Sequence, residues 1–315
     1  FAAETVPALS QFIEQEATLT EGENEFVIFA ANENASAISD KRLVIYKPSV
    51  QRNVRPIGAV TINDWEKPNL YMVSVGISEY QLSTLSLTYA DDDARAISQI
   101  FQEQQGKLYR TVNIKPLYDL EATRANILDA LDWLEKSTTQ KDVAIIFLAA
   151  HGVNDNRGNF YVLPSDGSPD KLRITCIDLG DFKKTLGDLP SRVLLFLDTC
   201  HSGQLGRNLY TLRGVDNTEA LRELASDEFG VVIMAASTGA EHSMERSEWG
   251  HGAFTQALIE GLKERKADYS RDGCIHLNEL DTYVSERVKQ LTDGIQHATT
   301  QKPSSISRLP IFQFE

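Results

Sequence analysis

The sequence predicts an α/β fold, a mostly parallel sheet with helices on both faces, preceded by a small β-rich N-terminal segment. Three observations lead there. Apolar runs of strand length, such as Val143–Ala150 and Val231–Ala236, lack the alternation of a half-exposed strand, as expected of strands buried on both faces. Segments with apolar residues at helical spacing lie between them. This strand–helix alternation begins only after Asn69, and the chain ahead of it has a different pattern.

Taken in order, residues 1–66 hold two short β-branched runs, Glu25–Ala31 and Arg42–Tyr46, separated by the turn-prone stretch Asn32–Asp40. These are too few strands for a whole sandwich and predict part of an immunoglobulin-like one, or a β-extension. Asp64–Asn69 reads as a linker, because the residue before Pro68 is disfavoured in a helix. Residues 67–315 form the main domain. Leu70–Ile77 is its first strand, and Asp91–Gln104 a helix with Ala94, Ile97, Ile100 and Phe101 on one face. Thr111–Tyr118 is the second strand, and Thr123–Lys136 a helix carried by Ile127, Leu128, Leu131 and Leu134. Val143–Ala150 is the third strand, Asp178–Leu186 a helix, Arg192–Asp198 the fourth strand and Gly230–Ala236 the fifth. Helices over Ala253–Glu264 and Asn278–Leu291 complete it. In such sheets the chemistry sits beyond the carboxyl ends of the strands.

Composition narrows the function. Across 315 residues, 31 Lys and Arg against 45 Asp and Glu leave a formal charge of −14, the wrong sign for a surface that neutralises phosphates. Nucleic acid and anionic membrane are excluded as expected partners. Cys176, Cys200 and Cys274 form an odd set without a CxxC pair, which favours a reducing compartment; with no charged, then apolar, leader at the start, the expected location is cytoplasmic. No apolar run approaches the length of about 20 residues that a membrane span needs. The sequence opens at Phe1, and an upstream sensor or regulatory domain stays among the expected partners.

Two strand ends carry chemistry. The third strand runs into His151-Gly152, and the fourth into Asp198-Thr199-Cys200-His201-Ser202-Gly203. His151 and Cys200 thereby reach the same edge of the sheet, and a cysteine nucleophile needs an imidazole or cation beside it. Backbone N–H groups of Gly152 and Cys200 are the candidate oxyanion hole. Taken one at a time, the cysteine is a small core residue and the histidine a hydrogen-bonded strand end. Zinc held by His151, Cys200 and His201 is a rival, weakened because neighbouring residues of an extended strand point apart.

Several segments together resemble the caspase-like cysteine peptidases, in their orthocaspase and metacaspase branch. They are YMVSVGISEY with LTYADDDARAI, then IIFLAAHG, FYVLPSDG, LLFLDTCHSG, VVIMAASTGAEHSMERSEWGHGAFTQAL and ADYSRDGCIHLNELDTYV. The resemblance runs from about Pro68 to about Pro303 and implies the caspase–haemoglobinase fold, with 67–205 large-subunit-like, 206–229 a linker and 230–315 small-subunit-like. It implies a Cys200/His151 dyad acting through an acyl-enzyme, with no third orienting residue named. It also implies that Asp93 and Asp198 line the S1 pocket and select Arg or Lys at P1 of protein or peptide substrates. A third wall is expected from the Ala236–Glu245 loop. The ordinary role for Asp91, Asp92 and Asp93 is to open a helix, one of them as its N-cap. Where some metacaspases carry Ser before HG, this chain has Ala149-Ala150.

The resemblance further implies a monomer that needs no cofactor, with Ca²⁺ as an optional activator. Asp268, Ser270, Asp272 and Glu279, with Gly273 at the turn, match an EF-hand loop in spacing, yet the segment reads better as a turn in which Asn278 caps the last helix. Arg207, Arg213 and Arg222 in the linker are candidate self-cleavage sites, or solubilising residues of a surface loop. The alternative to a peptidase is a non-catalytic or latent caspase-like module whose groove binds a basic peptide or a partner protein.

Overall fold

The computed structural model describes residues 22–26, 29–31, 36–38, 42–46, 67–155, 157, 159–201, 231–237, 243–302 and 309–314. The chain divides into two compact units, 1–61 and 62–315. In the first, β1 (Gly22–Phe26) pairs antiparallel with β4 (Arg42–Tyr46), and β2 (Phe29–Ala31) with β3 (Ser36–Ile38). The run Glu25–Ala31 expected as one strand is thus two, because its ends pair with different partners.

The second unit is built on β5 (Leu70–Gly76), β6 (Val112–Tyr118), β7 (Val143–Asn154), β10 (Arg192–His201) and β11 (Val231–Ala235), all parallel, in the order β6-β5-β7-β10-β11. Short antiparallel strands extend it. β8 (Phe160–Val162) pairs with the end of β7 and with β9 (Ile177–Asp178), and β15 (Thr299–Gln301) closes the edge beside β11. Two small antiparallel pairs lie apart, β12 (Glu245–Arg246) with β13 (His251–Gly252), and β14 (Cys274–His276) with β16 (Pro310–Gln313).

The continuous apolar strands follow from burial on both faces. Along β7, Ala144, Ile146, Leu148 and Ala150 join one core, while Val143, Ile145, Phe147 and Ala149 join the other. The first core includes α2 (Arg124–Ser137) and Phe182 and Leu186 of α4 (Leu179–Asp188), which follows the short helix α3 (Leu172–Thr175). The second is covered by α1 (Ala90–Gln102), α5 (Ala253–Lys263) and α6 (Leu277–Leu291). Glu260 ties α5 to α6. Burial opposes its charge, yet hydrogen bonds from Arg287, Gln256, Lys266 and Tyr283 hold it down to about 2.

The first strand of the sheet, β5, has the second on one side and the third on the other, so the strand order reverses between β5 and β7. In α/β sheets ligands bind at such a reversal, beyond the carboxyl ends of the strands. Gly76 permits the close seating of α1 there. A Cβ on it would lie 2.3 Å from the Ala90 carbonyl oxygen and 2.6 Å from Ala94 Cβ. Gly76→Ala is expected to destabilise the domain by about 1–3 kcal/mol and lower its Tm by several degrees. An unchanged Tm in a thermal melt would mean that α1 shifts without cost.

Candidate active site

His151 lies near the end of β7 and Cys200 near the end of β10, and the parallel register sets them opposite each other as Cα partners. Both strands run past their expected ends. β7 continues through His151-Gly152 because β8 folds back to pair Gly152 with Val162, and β10 runs on to His201 against β7. The histidine is therefore a strand residue with a fixed backbone, not a loop residue.

Its ring is fixed as well. His151 Nε2 lies 2.7 Å from the Leu85 carbonyl oxygen, an acceptor only, so Nε2 carries a proton and donates it. Leu85 closes a 3₁₀ turn, Ser83–Leu85, in the crossover between β5 and α1. Tyr80 adds a second brace. Its hydroxyl accepts from the His151 backbone N–H at 3.0 Å, and its ring lies 5.2 Å from the imidazole, centroid to centroid. Burial pushes the His151 pKa down, against the opposing pull of the Leu85 carbonyl. A neutral imidazole protonated at Nε2 keeps its lone pair at Nδ1, and Nδ1 is buried without a hydrogen-bond partner among the described residues.

The two predicted acids meet nearby: Asp198 stands two residues before Cys200 on β10, opposite Ala149 of β7. Along β10, Leu194 and Phe196 belong to the core under α1 and α5, and Asp198 follows them in parity. Its Oδ2 accepts from Thr255 Oγ1 of α5 at 2.8 Å. Asp93, in the first turn of α1, is just 2% exposed; its Oδ2 accepts from the Gly252 N–H at 3.2 Å, and Oδ1 lies 2.6 Å from His251 Nδ1. Both carboxylates press on Gly252. A Cβ there would sit 3.0 Å from Asp198 Oδ2 and 3.2 Å from Asp93 Oδ2, so this position suits glycine. Burial, then the neighbouring Asp93, pushes Asp198 up to about 8. Burial raises Asp93 too, opposed by its bond to His251.

Glu245, on β12 beside β13, is a third acid of this cluster. Burial and then Asp93 raise its pKa, and Thr88 and Tyr89 hydrogen-bond it. No residue of the Ala236–Glu245 loop stood out in the sequence; among its described residues, Glu245 reaches the acids. The N-cap role expected for one of Asp91–Asp93 is corrected: the N-cap is Tyr89, with no side-chain cap, because the helix begins at Ala90, while all three acids fall inside its first turn, where the helix dipole favours them. Asp91 instead pairs with Arg95.

Leu85, Tyr80, Glu245, His251 and Thr255 escaped the sequence reading. The first acts through a carbonyl that any residue would supply. The pair His251-Gly252 just ahead of an apolar helix was the one local signal that pointed to this corner.

Residues 268–279 form a network of turns. Gly273 N–H donates to Asp268 Oδ2, Cys274 N–H to Asp272 Oδ1, and Ser270 N–H to Glu279 Oε1. The N-cap of α6 is His276, not Asn278, and Glu279 Oε2 accepts from the His276 N–H in a capping box. An EF-hand needs its last Glu bidentate on the ion. Both oxygens of Glu279 are taken by backbone N–H groups, so the residues do not fit calcium. Arg207, Arg213 and Arg222 lie outside the described residues. Among the described residues, no helix is long and apolar enough to cross a membrane.

A family model described as the caspase domain matches residues 72–311. Among solved structures, the chain is similar to a crystal structure of a protein from Geobacter sulfurreducens, with 17% identity and a TM-score of 0.58 over 79% of this chain and 100% of that one. That likeness concerns the fold. No curated protein sequence matches.

Proposed function

Because the chain belongs to the caspase family of cysteine peptidases, we propose that it is an endopeptidase of the orthocaspase and metacaspase branch that cuts after Arg or Lys. The single observation that carries the specificity is the convergence of buried Asp93 and Asp198 on Gly252, with Glu245 beside them. Two or three carboxylates crowded away from water repel one another until a cation joins them. A guanidinium or ammonium at P1 supplies it, whereas an acidic P1 side chain adds another like charge.

In this reading Cys200 is the nucleophile and His151 its acid–base partner. Nδ1 of the neutral imidazole takes the thiol proton as the sulfur attacks the scissile carbonyl. The N–H groups of Gly152 and Cys200 receive the oxyanion. Nδ1–H then protonates the leaving amine, the C–N bond breaks, and a thioester remains. Water attacks that thioester, giving its proton to Nδ1, and the carboxylic acid leaves as the thiol is restored. The Leu85 carbonyl keeps Nε2 protonated throughout, so each proton passes at Nδ1.

No step calls for a metal. We also propose that the chain acts in the cytoplasm as a monomer on proteins or peptides, with self-cleavage at Arg207, Arg213 or Arg222.

Hydrolysis of matched fluorogenic peptides with Arg, Lys or Asp at P1 tests this. Arg and Lys peptides are expected to turn over at least about 100-fold faster than the Asp peptide, the size of effect that one unpaired buried charge produces. Equal or preferred turnover of the Asp peptide would sink the pocket assignment. A denaturing gel of the same incubation reads self-cleavage as two fragments that meet at 206–229, and a persistently intact band argues against it.

A further inference from the structure

A buried amide outside the acid cluster ties together the segments that carry it. Gln296 is 0% exposed. Its Oε1 accepts from the Met244 N–H at 2.8 Å, and its Nε2–H donates to the Ala236 carbonyl at 2.8 Å. Those partners fix the orientation of the amide, since a main-chain N–H needs its oxygen and a carbonyl needs its N–H. The residue is anchored at the end of α6. The Gln296 N–H donates to Thr292 Oγ1, which is buried and donates in turn to the Val288 carbonyl. The two main-chain groups that Gln296 bridges lead to different acids. Ala236 follows β11, and its N–H donates at 2.8 Å to the carbonyl of Leu197, the residue before Asp198 on β10. Met244 precedes Glu245 of β12, and its carbonyl accepts at 2.8 Å from the N–H of Ala253, the residue after Gly252. The covalent path from Ala236 to Met244 runs through residues 237–243, whereas the amide joins them directly.

We propose that Gln296 is a positioning residue for specificity: its amide sets the spacing of Asp198 against Glu245 and Gly252, and with it the fit of the acid cluster to one cationic P1 side chain. This rests on the Arg/Lys reading above. Carboxylates share a cation only while they converge on it, and here each stands on a different element, Asp93 on α1, Asp198 on β10 and Glu245 on β12. The β12–β13 pair is two residues long on each strand, too short to hold its own place against the sheet. The Gln296 amide supplies that hold. Without it, a small displacement of β12–β13 from β10 deprives a bound guanidinium of part of its compensation. The strands that carry His151 and Cys200 are paired directly with each other and do not depend on this tie. An uncharged P1 side chain of the same shape has no such compensation to lose.

The test is hydrolysis of two matched fluorogenic peptides, one with Arg at P1 and one with citrulline, its uncharged isostere, by the wild-type chain and by Gln296→Asn. Asparagine keeps the amide but is one methylene shorter, so it cannot reach both main-chain groups at once. Gln296→Met, run alongside, keeps the volume of the side chain while removing both bonds, and covers a failure of the first variant to pack. The ratio of kcat/KM for the Arg peptide to that for the citrulline peptide is expected to fall about tenfold in either variant. That ratio does not depend on how much of the protein is folded, so a loss of stability alone leaves it where it was. An unchanged ratio, with both peptides slowed alike or not at all, overturns the role of Gln296 while leaving the acidic pocket intact. A wild-type chain that does not prefer Arg to citrulline overturns the pocket reading and this proposal with it.

Discussion

Cys200→Ala is expected to lower kcat on an Arg-P1 peptide by about 10⁵-fold, because the thioester route disappears and only binding and oxyanion stabilisation remain. KM should change little, since the S1 acids do not include Cys200. In the wild-type enzyme, the acid limb of kcat/KM should fall below the ordinary histidine value of about 6.5, since burial lowers the His151 pKa. Fluorogenic assays with active-site titration check both. Residual activity above about 1% in the variant would mean that another group attacks the carbonyl.

Asp198→Asn carries the second largest effect. An amide of the same shape still reaches Thr255, so the fold should survive, but a bound guanidinium loses the carboxylate that compensates it. Breaking a buried charge pair costs about 3–5 kcal/mol, a loss of roughly 10²- to 4 × 10³-fold in kcat/KM for Arg and Lys peptides. The same residue gives stability a pH dependence. Asp198 is raised to about 8 against an ordinary value of 3.8, so the folded chain holds a proton that the unfolded chain releases. Its contribution is therefore full below about pH 3.8 and is lost as pH rises towards 8. Asp198→Asn should flatten that decline in melts across the range. A decline of equal slope in the variant would assign it to other groups.

The strands that carry His151 and Cys200 were legible because strands buried on both faces leave long apolar runs, and a His-Gly or Cys-His-Ser-Gly at the end of such a run is conspicuous. Asp198 was legible for the same reason. It is a charge at a core parity of a buried strand, where a carboxylate needs a purpose. Asp93 was harder, lying among three acids at a helix start that the helix dipole would favour in any case. The rest of the site has a different origin. β12 and β13 are two residues each, too short to show any alternation, so Glu245 and His251 left no periodic trace. The group that orients His151 is a main-chain carbonyl, invisible in residue identity. The short antiparallel strands β8, β9 and β15 escaped for the same reason as β12 and β13, since three residues or fewer carry no pattern.

The acid cluster also divides the chain in an uneven way. Asp93 and Asp198 precede residues 206–229, whereas Glu245, His251, Gly252 and Thr255 follow them. A backbone break within 206–229 would leave two polypeptides sharing one sheet, stitched by five consecutive residue pairs from Val193 with Val231 to Leu197 with Ala235. Neither polypeptide would own the complete acid cluster. Cys200, Asp93 and Asp198 would travel with one, and the groups that hydrogen-bond those acids with the other. Under the proposed specificity, recognition of a basic side chain would be a property of the noncovalent pair, and pulling the halves apart would erase selectivity and fold together.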